Sequence, residues 1–504
     1  MRKQGIEHRA VRVSLVTGLS TVLSVTFQLV SVPVCLHYWG QTAYGHWLAL
    51  FAAFQLIRSL DAGYIGYVGN QLNLLYHRDV PALREHLASA IFGIAVLATL
   101  QLFLVAGALY SDRMAGLLGL EILANGADQG QLGLAILLLS WILTGSYIGI
   151  VHRLQIPAGL MVQAAWWSVA YQIANFTAIM VAAFFAMNLL QTSLLFALSQ
   201  ATIYLLSAIY VKIKIPEFYP WWRGARIHLG LADLIRSTLL TASNLIQQVS
   251  LNGVVVLISV LAGPAAVPVF TTVRTLANLW TNVTTVLTTP LLPDVVRFHA
   301  HGETHKLAAT MEAHWVLVGS AVNMGVLLSY PLLPWLYAYW TTKAVILDNS
   351  LLCLLLASVV VANTSALMTM HLNGINSLRL VLVASVLRAG LALGIGALCY
   401  AQMGLVAFGL GILAGEIAAS LVTMQFFSQH ELVERGYKLS RTAFAPTLFS
   451  TGCVLLYLAN RGFGYTSETW IGPAALMGVV LAAIWGWRRL PQELTERFLR
   501  FLVN

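Results

Sequence analysis

Apolar stretches of about eighteen or more residues recur from one end of this chain to the other, separated by short polar segments. A helix of that length crosses the roughly 30 Å hydrocarbon core of a bilayer. Inside it every backbone hydrogen bond is satisfied within the segment, which lipid demands. The pattern predicts about fourteen spans, at 13–36, 44–69, 87–109, 131–151, 163–186, 190–211, 237–262, 266–292, 314–338, 350–371, 379–400, 405–427, 444–460 and 470–487. Ten-residue segments of alternating polarity, the mark of a membrane barrel, are missing. The run from Val13 to Cys35 follows Met1-Arg2-Lys3, is too long for a signal-peptide core and lacks a small-residue cleavage site, so it reads as the first membrane helix.

Composition agrees. Of 504 residues, 59% are hydrophobic and 9% charged, where a soluble domain carries about 25% charged. Cys35, Cys353, Cys399 and Cys453 lie singly in apolar stretches without metal-ligand or redox spacing and read as small core hydrophobes. The net charge of +9 is mostly topology. With the N-terminus inside, 22 of the 28 Lys and Arg fall on one side of the fourteen spans, and only Arg113, Lys343 and Arg461 fall in loops on the other. That is the positive-inside rule, and it places both termini in the cytoplasm of a multi-pass inner-membrane protein, with no call for nucleic acid. Residues 212–236 mix Phe218, Tyr219, Trp221 and Trp222 with Lys and Arg, as an interfacial connector does. The tail 488–504 spaces Leu490, Leu494, Phe498 and Leu502 as an amphipathic surface helix.

A shift of 223 residues aligns two parts of the chain: Gly40 falls on Gly263, and the exit of span two, Asn70 to Arg84, falls on Pro293 to Leu307. The expectation is an all-α polytopic membrane protein of two six-helix halves in parallel pseudo-symmetry, 1–211 and 237–427, joined by the connector 212–236. A terminal helix pair at 444–487 and the tail 488–504 complete it. Transporters built from parallel repeats bind substrate between repeats and alternate access to it.

The run Leu60-Asp61-Ala62-Gly63-Tyr64-Ile65-Gly66-Tyr67-Val68-Gly69-Asn70, with Tyr76-His77-Arg78-Asp79 after it, resembles the Asp-x-Gly…Gly-Asn…Gly-Asp signature of the second helix in bacterial polysaccharide transporters. Arg78 stands where that signature usually has Gly. These are the O-antigen flippases of the multidrug/oligosaccharidyl-lipid/polysaccharide exporter superfamily. The Pro290–Asp294 exit of span eight is also similar. The resemblance implies the fold of that superfamily's multidrug exporters and lipid II flippases. It further implies a lipid-linked oligosaccharide as substrate, and as partners the membrane lipids and the polysaccharide polymerase and chain-length proteins.

Three arginines stand inside spans, Arg58, Arg274 and Arg388, against two acids, Asp61 and Glu416. A charge there is costly and marks a pathway or site unless it is paired. Arg58 and Asp61 are three apart on one helix face and so able to pair. They read either as a packing ion pair or as a cavity wall that offers Arg58 to an anion, with Asp61 orienting it or taking a cation or proton. Arg274 shares span eight with Thr271, Thr272, Thr275, Asn278 and Asn282. Arg388 in span eleven and Glu416 in span twelve could meet, helped by the small-xxx-small spacings Gly390/Gly394 and Gly411/Gly415. Asn244, Gln247, Gln248 and Asn252 form a polar stripe on span seven, Pro33 would kink span one, and His371, Asn373 and Asn376 read as a solvated inner loop. Without a Gly-Lys-Ser/Thr phosphate loop, a metal-spaced cluster or a large extramembrane domain, an enzyme and a bound cofactor are not expected. The expected function is a flippase for polyprenyl-pyrophosphate-linked oligosaccharide, with Arg58, Arg274 and Arg388 on the pyrophosphate and Asp61 and Glu416 as ion-coupling or charge-pairing acids. An ion-coupled drug antiporter or a lipid II flippase on the same fold is the alternative, and a membrane glycosyltransferase or polymerase is a weaker one.

Overall fold

The computed structural model describes residues 2–76, 78–110, 127–375, 378–426, 441–464 and 470–490. The outer loop 110–130, apart from its edges, and the tail helix lie outside the described residues, which contain helix and no strand. Among the described residues ten helices are long and apolar enough to cross a membrane. The first is two spans, α1 (2–39) and α2 (41–75), merged in the continuous run Arg2–Leu75 and broken at Gly40. There follow α3 (Val80–Tyr110), α4 (127–155), α5 (Met161–Phe184), α6 (Leu189–Lys214) and α7 (Ile227–Ala262). After them come α8 (Ala266–Thr288), α9 (Thr304–Trp340), α10 (Asn349–Gly374), α11 (Leu378–Met403) and α12 (Val406–Phe426). The pair α13 (Arg441–Phe463) and α14 (Ile471–Trp487) ends the fold. All fourteen expected spans are therefore occupied by helix.

The repeat is visible in the backbone. Gly40 has φ 73° and ψ 172°, and Gly263 has φ 81° and ψ 168°. That corner of conformational space is open essentially to glycine alone, so each first helix of a repeat ends on the same unusual residue. Pro33, by contrast, sits inside continuous helix, and the break comes seven residues later, at Gly40. α3 starts at Val80 and α9 at Thr304, one residue from the 223 offset.

By packing the chain divides into two compact units, residues 1–268 with 340–344, and residues 269–339 with 345–504. α7 belongs to the first. It begins ten residues before the expected position 237, because Arg226 already docks on α3: its N–H donates to Ser89 Oγ at 2.9 Å and its side chain meets Glu85 at 2.8 Å. Gly230 and Gly63 let α7 lie directly on the backbones of α3 and α2, where a Cβ would run into Ser89 O and Thr241. The connector before it is anchored, not loose: Phe218 is buried, Arg84 donates to Glu217 O, and Lys212 lies 4.2 Å from the Tyr219 ring centre.

In the second unit the terminal pair is hydrogen-bonded into the bundle. Asn323 of α9 donates to Ser450 Oγ at 2.8 Å, Thr447 Oγ1 donates to Trp315 O at 3.2 Å, and Ser350 Oγ of α10 donates to Gly462 O at 2.7 Å. His371, expected in a solvated loop, is enclosed within α10, fully buried, with its ring 5.0 Å from that of His299.

Candidate functional site

The signature segment of α2 explains itself once folded. Gly63, Gly66 and Gly69 recur every three residues and so share a face. Gly63 and Gly66 take α7, at Thr241 and Leu240, and a Cβ on Gly69 would sit 2.9 Å from the Cδ of Arg153 on α4. This groove brings α4 and α7 close to α2 and leaves Arg58 and Asp61 facing a cavity of about 470 Å³ in the first unit. Arg58, Asp61, Trp141, His152, Arg153, Trp167, Tyr171, Tyr204 and Gln248 are among its lining residues.

Arg58 and Asp61 do not pair. No ion pair joins them among the described residues, because each has been taken by other groups. Nη1 of Arg58 donates to Gln55 Oε1 at 3.0 Å and to Tyr171 Oη at 3.2 Å, and its guanidinium lies 4.1 Å above the Trp141 ring. Asp61 is fully buried. Its Oδ2 accepts from Trp141 Nε1 at 2.8 Å and from Ser146 Oγ, and its Oδ1 has no partner. Trp141 thus supports the cation on its face and the acid on its edge.

The local cause is a π-helical turn, Trp141–Ser146, inserted in α4. A π turn closes i→i+5 hydrogen bonds and so brings residues five apart nearer one face, whereas in an α-helix they point well away from each other. Only this turn aims Trp141 and Ser146 at the same carboxylate. Gly145 leaves space for the indole, since a Cβ there would overlap the ring. A second π turn, Val249–Gly253, interrupts α7, and of its polar stripe Gln248 alone reaches the cavity wall, held by Asn252 at 2.6 Å.

Sequence reasoning missed several lining residues. Arg153, two residues past the expected end of span four, reads by the topology rule as a loop charge, yet α4 carries it into the cavity wall. Tyr171 and Tyr204, 5.5 Å apart, and Trp141 against Tyr204 at 5.6 Å form an aromatic wall. His152 Nδ1 lies 3.1 Å from both Ser207 Oγ and Gln155 Nε2. The one usable signal was the density of Trp and Tyr among the polar residues of spans four to six. Sequence reasoning also missed a buried acid. Asp233 lies near the start of α7, fully buried, with Oδ2 3.0 Å from His86 Nε2 and Arg236 3.7 Å away.

The other two arginines belong to the second unit and do not line this cavity. Arg388 Nε donates to Glu416 Oε2 at 2.9 Å across α11 and α12. Gly411 and Gly415 permit that approach: a Cβ at Gly415 would meet Arg388 O at 2.9 Å. Gly390 and Gly394 do not contribute, since both face open space. Arg274 lies 5.4 Å from the Phe270 ring centre one turn back on α8, and nearby Thr272 bonds Tyr337 Oη at 2.8 Å. Among the described residues no three His, Cys, Asp or Glu gather as a metal site.

The helices around this cavity belong to a fold that solved membrane-protein structures share. The chain resembles a multidrug-resistance MATE family transporter of the MOP superfamily in an inward-facing conformation (TM-score 0.62, 15% identity, 83% of this chain and 97% of the other). It also resembles the lipid II flippase MurJ in an inward closed conformation (TM-score 0.59, 13% identity, 98% of this chain and 99% of the other). A third is a MOP superfamily transporter from Pyrococcus furiosus, described by the reversed polarity of its binding pocket (TM-score 0.55, 14% identity, 83% of this chain and 94% of the other). The fold is that of the MATE and MurJ transporters. No protein-family model and no curated protein sequence matches the chain.

Proposed function

We propose that this protein is a flippase of the bacterial inner membrane, with both termini cytoplasmic. It carries a polyprenyl-pyrophosphate-linked oligosaccharide for surface polysaccharide assembly by alternating access. The observation that supports this reading is the composition of the first unit's cavity: two cations, Arg58 and Arg153, against one acid, Asp61, beside a wall of aromatic rings. A pyrophosphate takes charge-assisted hydrogen bonds from guanidinium donors, and Trp and Tyr faces suit sugar rings. A volume of about 470 Å³ falls within the usual range of small-molecule sites, about 300–1,000 Å³, and so holds the head of such a lipid while its tail stays in the bilayer. The likeness over almost the whole chain to a lipid II flippase supports a lipid-linked load. Arg274 and Arg388 then serve a second stage of the path or the packing of the second unit. The expected partners are the membrane lipids and, in the cell, the polymerase and chain-length proteins that consume the product.

The test is transport of a fluorescent lipid-linked sugar in vesicles reconstituted with the protein. Wild type moves it, Arg58→Ala does not, and Arg58→Lys moves it weakly because a point charge lacks the planar fork. Vesicles in which wild type moves no such lipid sink the proposal. The buried Asp61 with its open Oδ1 in an aromatic cavity favours a second reading, an antiporter for organic cations. Uptake of a quaternary ammonium dye that depends on Asp61 and not on Arg58 would establish it.

A further inference from the structure

Within this cavity the cation and the acid are tied to opposite parts of one rigid ring. Arg58 rests on the face of the Trp141 indole, and Asp61 Oδ2 takes the indole N–H. Asp61 is fully buried and keeps one oxygen, Oδ1, without a partner. The charged or titratable groups around it are Arg58 on its own helix, His152 and Arg153 on α4, and Tyr171 and Tyr204 on α5 and α6. α7 offers Gln248, and α3 offers Gln101, which donates to Ile57 O. Neither is ionisable.

We infer that an anion at Arg58 and a charge-neutralising cation on Asp61, a proton or a sodium ion, bind together and each favours the other, with Trp141 as the positioning residue between them. The inference rests on the anion-binding reading of the cavity. An ionised Asp61 repels an anion arriving at Arg58. A proton or monovalent cation on Oδ1 leaves Arg58 and Arg153 unopposed and removes that repulsion. Linkage is reciprocal, so the bound anion strengthens the cation site by the same factor. The sign matters for energetics. A carrier that binds the two together moves them in the same direction, so export is not driven by exchanging the anion for a proton at Asp61. Net direction then comes from a reaction outside that consumes the delivered lipid.

The experiment is isothermal titration of geranyl pyrophosphate into the purified full-length protein, at about pH 6 and about pH 8, in two buffers of different ionisation enthalpy. Wild type is expected to bind on the order of tenfold tighter at the lower pH. It should also take up more protons on binding than Asp61→Asn, whose own count subtracts the titration of the probe and of the other cavity groups. Asp61→Asn is expected to bind tightly at both pH values. Trp141→Phe keeps a ring under Arg58 and removes the Nε1 donor from Asp61, so it should narrow the difference between the two pH values, and it serves as the comparison if Asp61→Asn does not fold. Repeating the higher-pH titration with sodium in place of choline separates the sources: tightening by sodium identifies the metal cation, and its absence leaves the proton. Protons released relative to Asp61→Asn, or equal counts in the two proteins with no sodium effect, overturn the linkage while leaving the anion site standing. Absence of any binding by wild type removes the anion reading and this inference with it.

Discussion

Arg58 and Arg388 each have a carboxylate close by, and the two units treat them in opposite ways. In the second unit Arg388 and Glu416 close on each other at 2.9 Å, with about a fifth of each side chain exposed, and the pair is spent on holding α11 to α12. In the first unit Arg58 and Asp61 share a helix face three residues apart, yet a tryptophan and a serine from a π turn hold the acid while neutral groups and an indole hold the cation. A closed pair has little left to offer a ligand. A separated cation keeps donors available, and a separated acid keeps an oxygen. The difference is the reason we propose the first unit's cavity, and not the α11–α12 contact, as the binding site.

The sharpest break in that comparison is a single substitution at the closed pair. Arg388→Ala should cost about 3–5 kcal/mol by leaving Glu416 partly buried without its cation, whereas Arg388→Met with Glu416→Leu should come back to within about 1 kcal/mol of wild type. Thermal unfolding of the detergent-solubilised protein reads both. If Arg388→Ala melts like wild type, the pair is not structural and the contrast with Arg58 collapses.

Glycine substitutions sharpen it next. Gly63→Ala pushes a Cβ into Thr241 and should destabilise the α2–α7 contact by about 1–3 kcal/mol, since that backbone approach leaves no room. Gly40→Ala and Gly263→Ala should each cost about 1–3 kcal/mol from backbone strain alone, and by similar amounts if the two sites are true repeat-mates. The same melting assay decides.

Smaller in stability, though largest in function, is Arg58→Ala. Its partners Gln55 and Tyr171 are neutral, so the loss should be about 1 kcal/mol, with protein level near normal and lipid transport abolished. Loss of the folded protein would instead make Arg58 a packing residue. The mildest change is Gly390→Ala, which points into open space and should be neutral or stabilising by about 0.5–1 kcal/mol.

The chain's apolar runs alone set out the fourteen segments that helix occupies among the described residues, because a hydrocarbon core filters helices by length and hydrophobicity and little else. The 223-residue repeat was likewise legible, at Gly40 and Gly263, because a backbone conformation closed to other residues leaves a mark in the sequence itself. The candidate arginines were legible because charge within a span is rare. What each of them touches was not. Arg58 and Asp61 satisfy the spacing of an ion pair and do not form one. Arg388 and Glu416, 28 residues apart, do. The deciding element is the π turn at Trp141–Ser146, which breaks the 3.6-residue period on which every reading of helix faces depends. Arg153 was hidden for a related reason: a charge near a span end obeys the topology rule whether it points to water or into a cavity, and only the packing of α4 against the glycines of α2 decides which. Periodicity and composition constrain a residue's own helix. Partners on other helices are set by how backbones approach each other, and that is a property of the folded bundle.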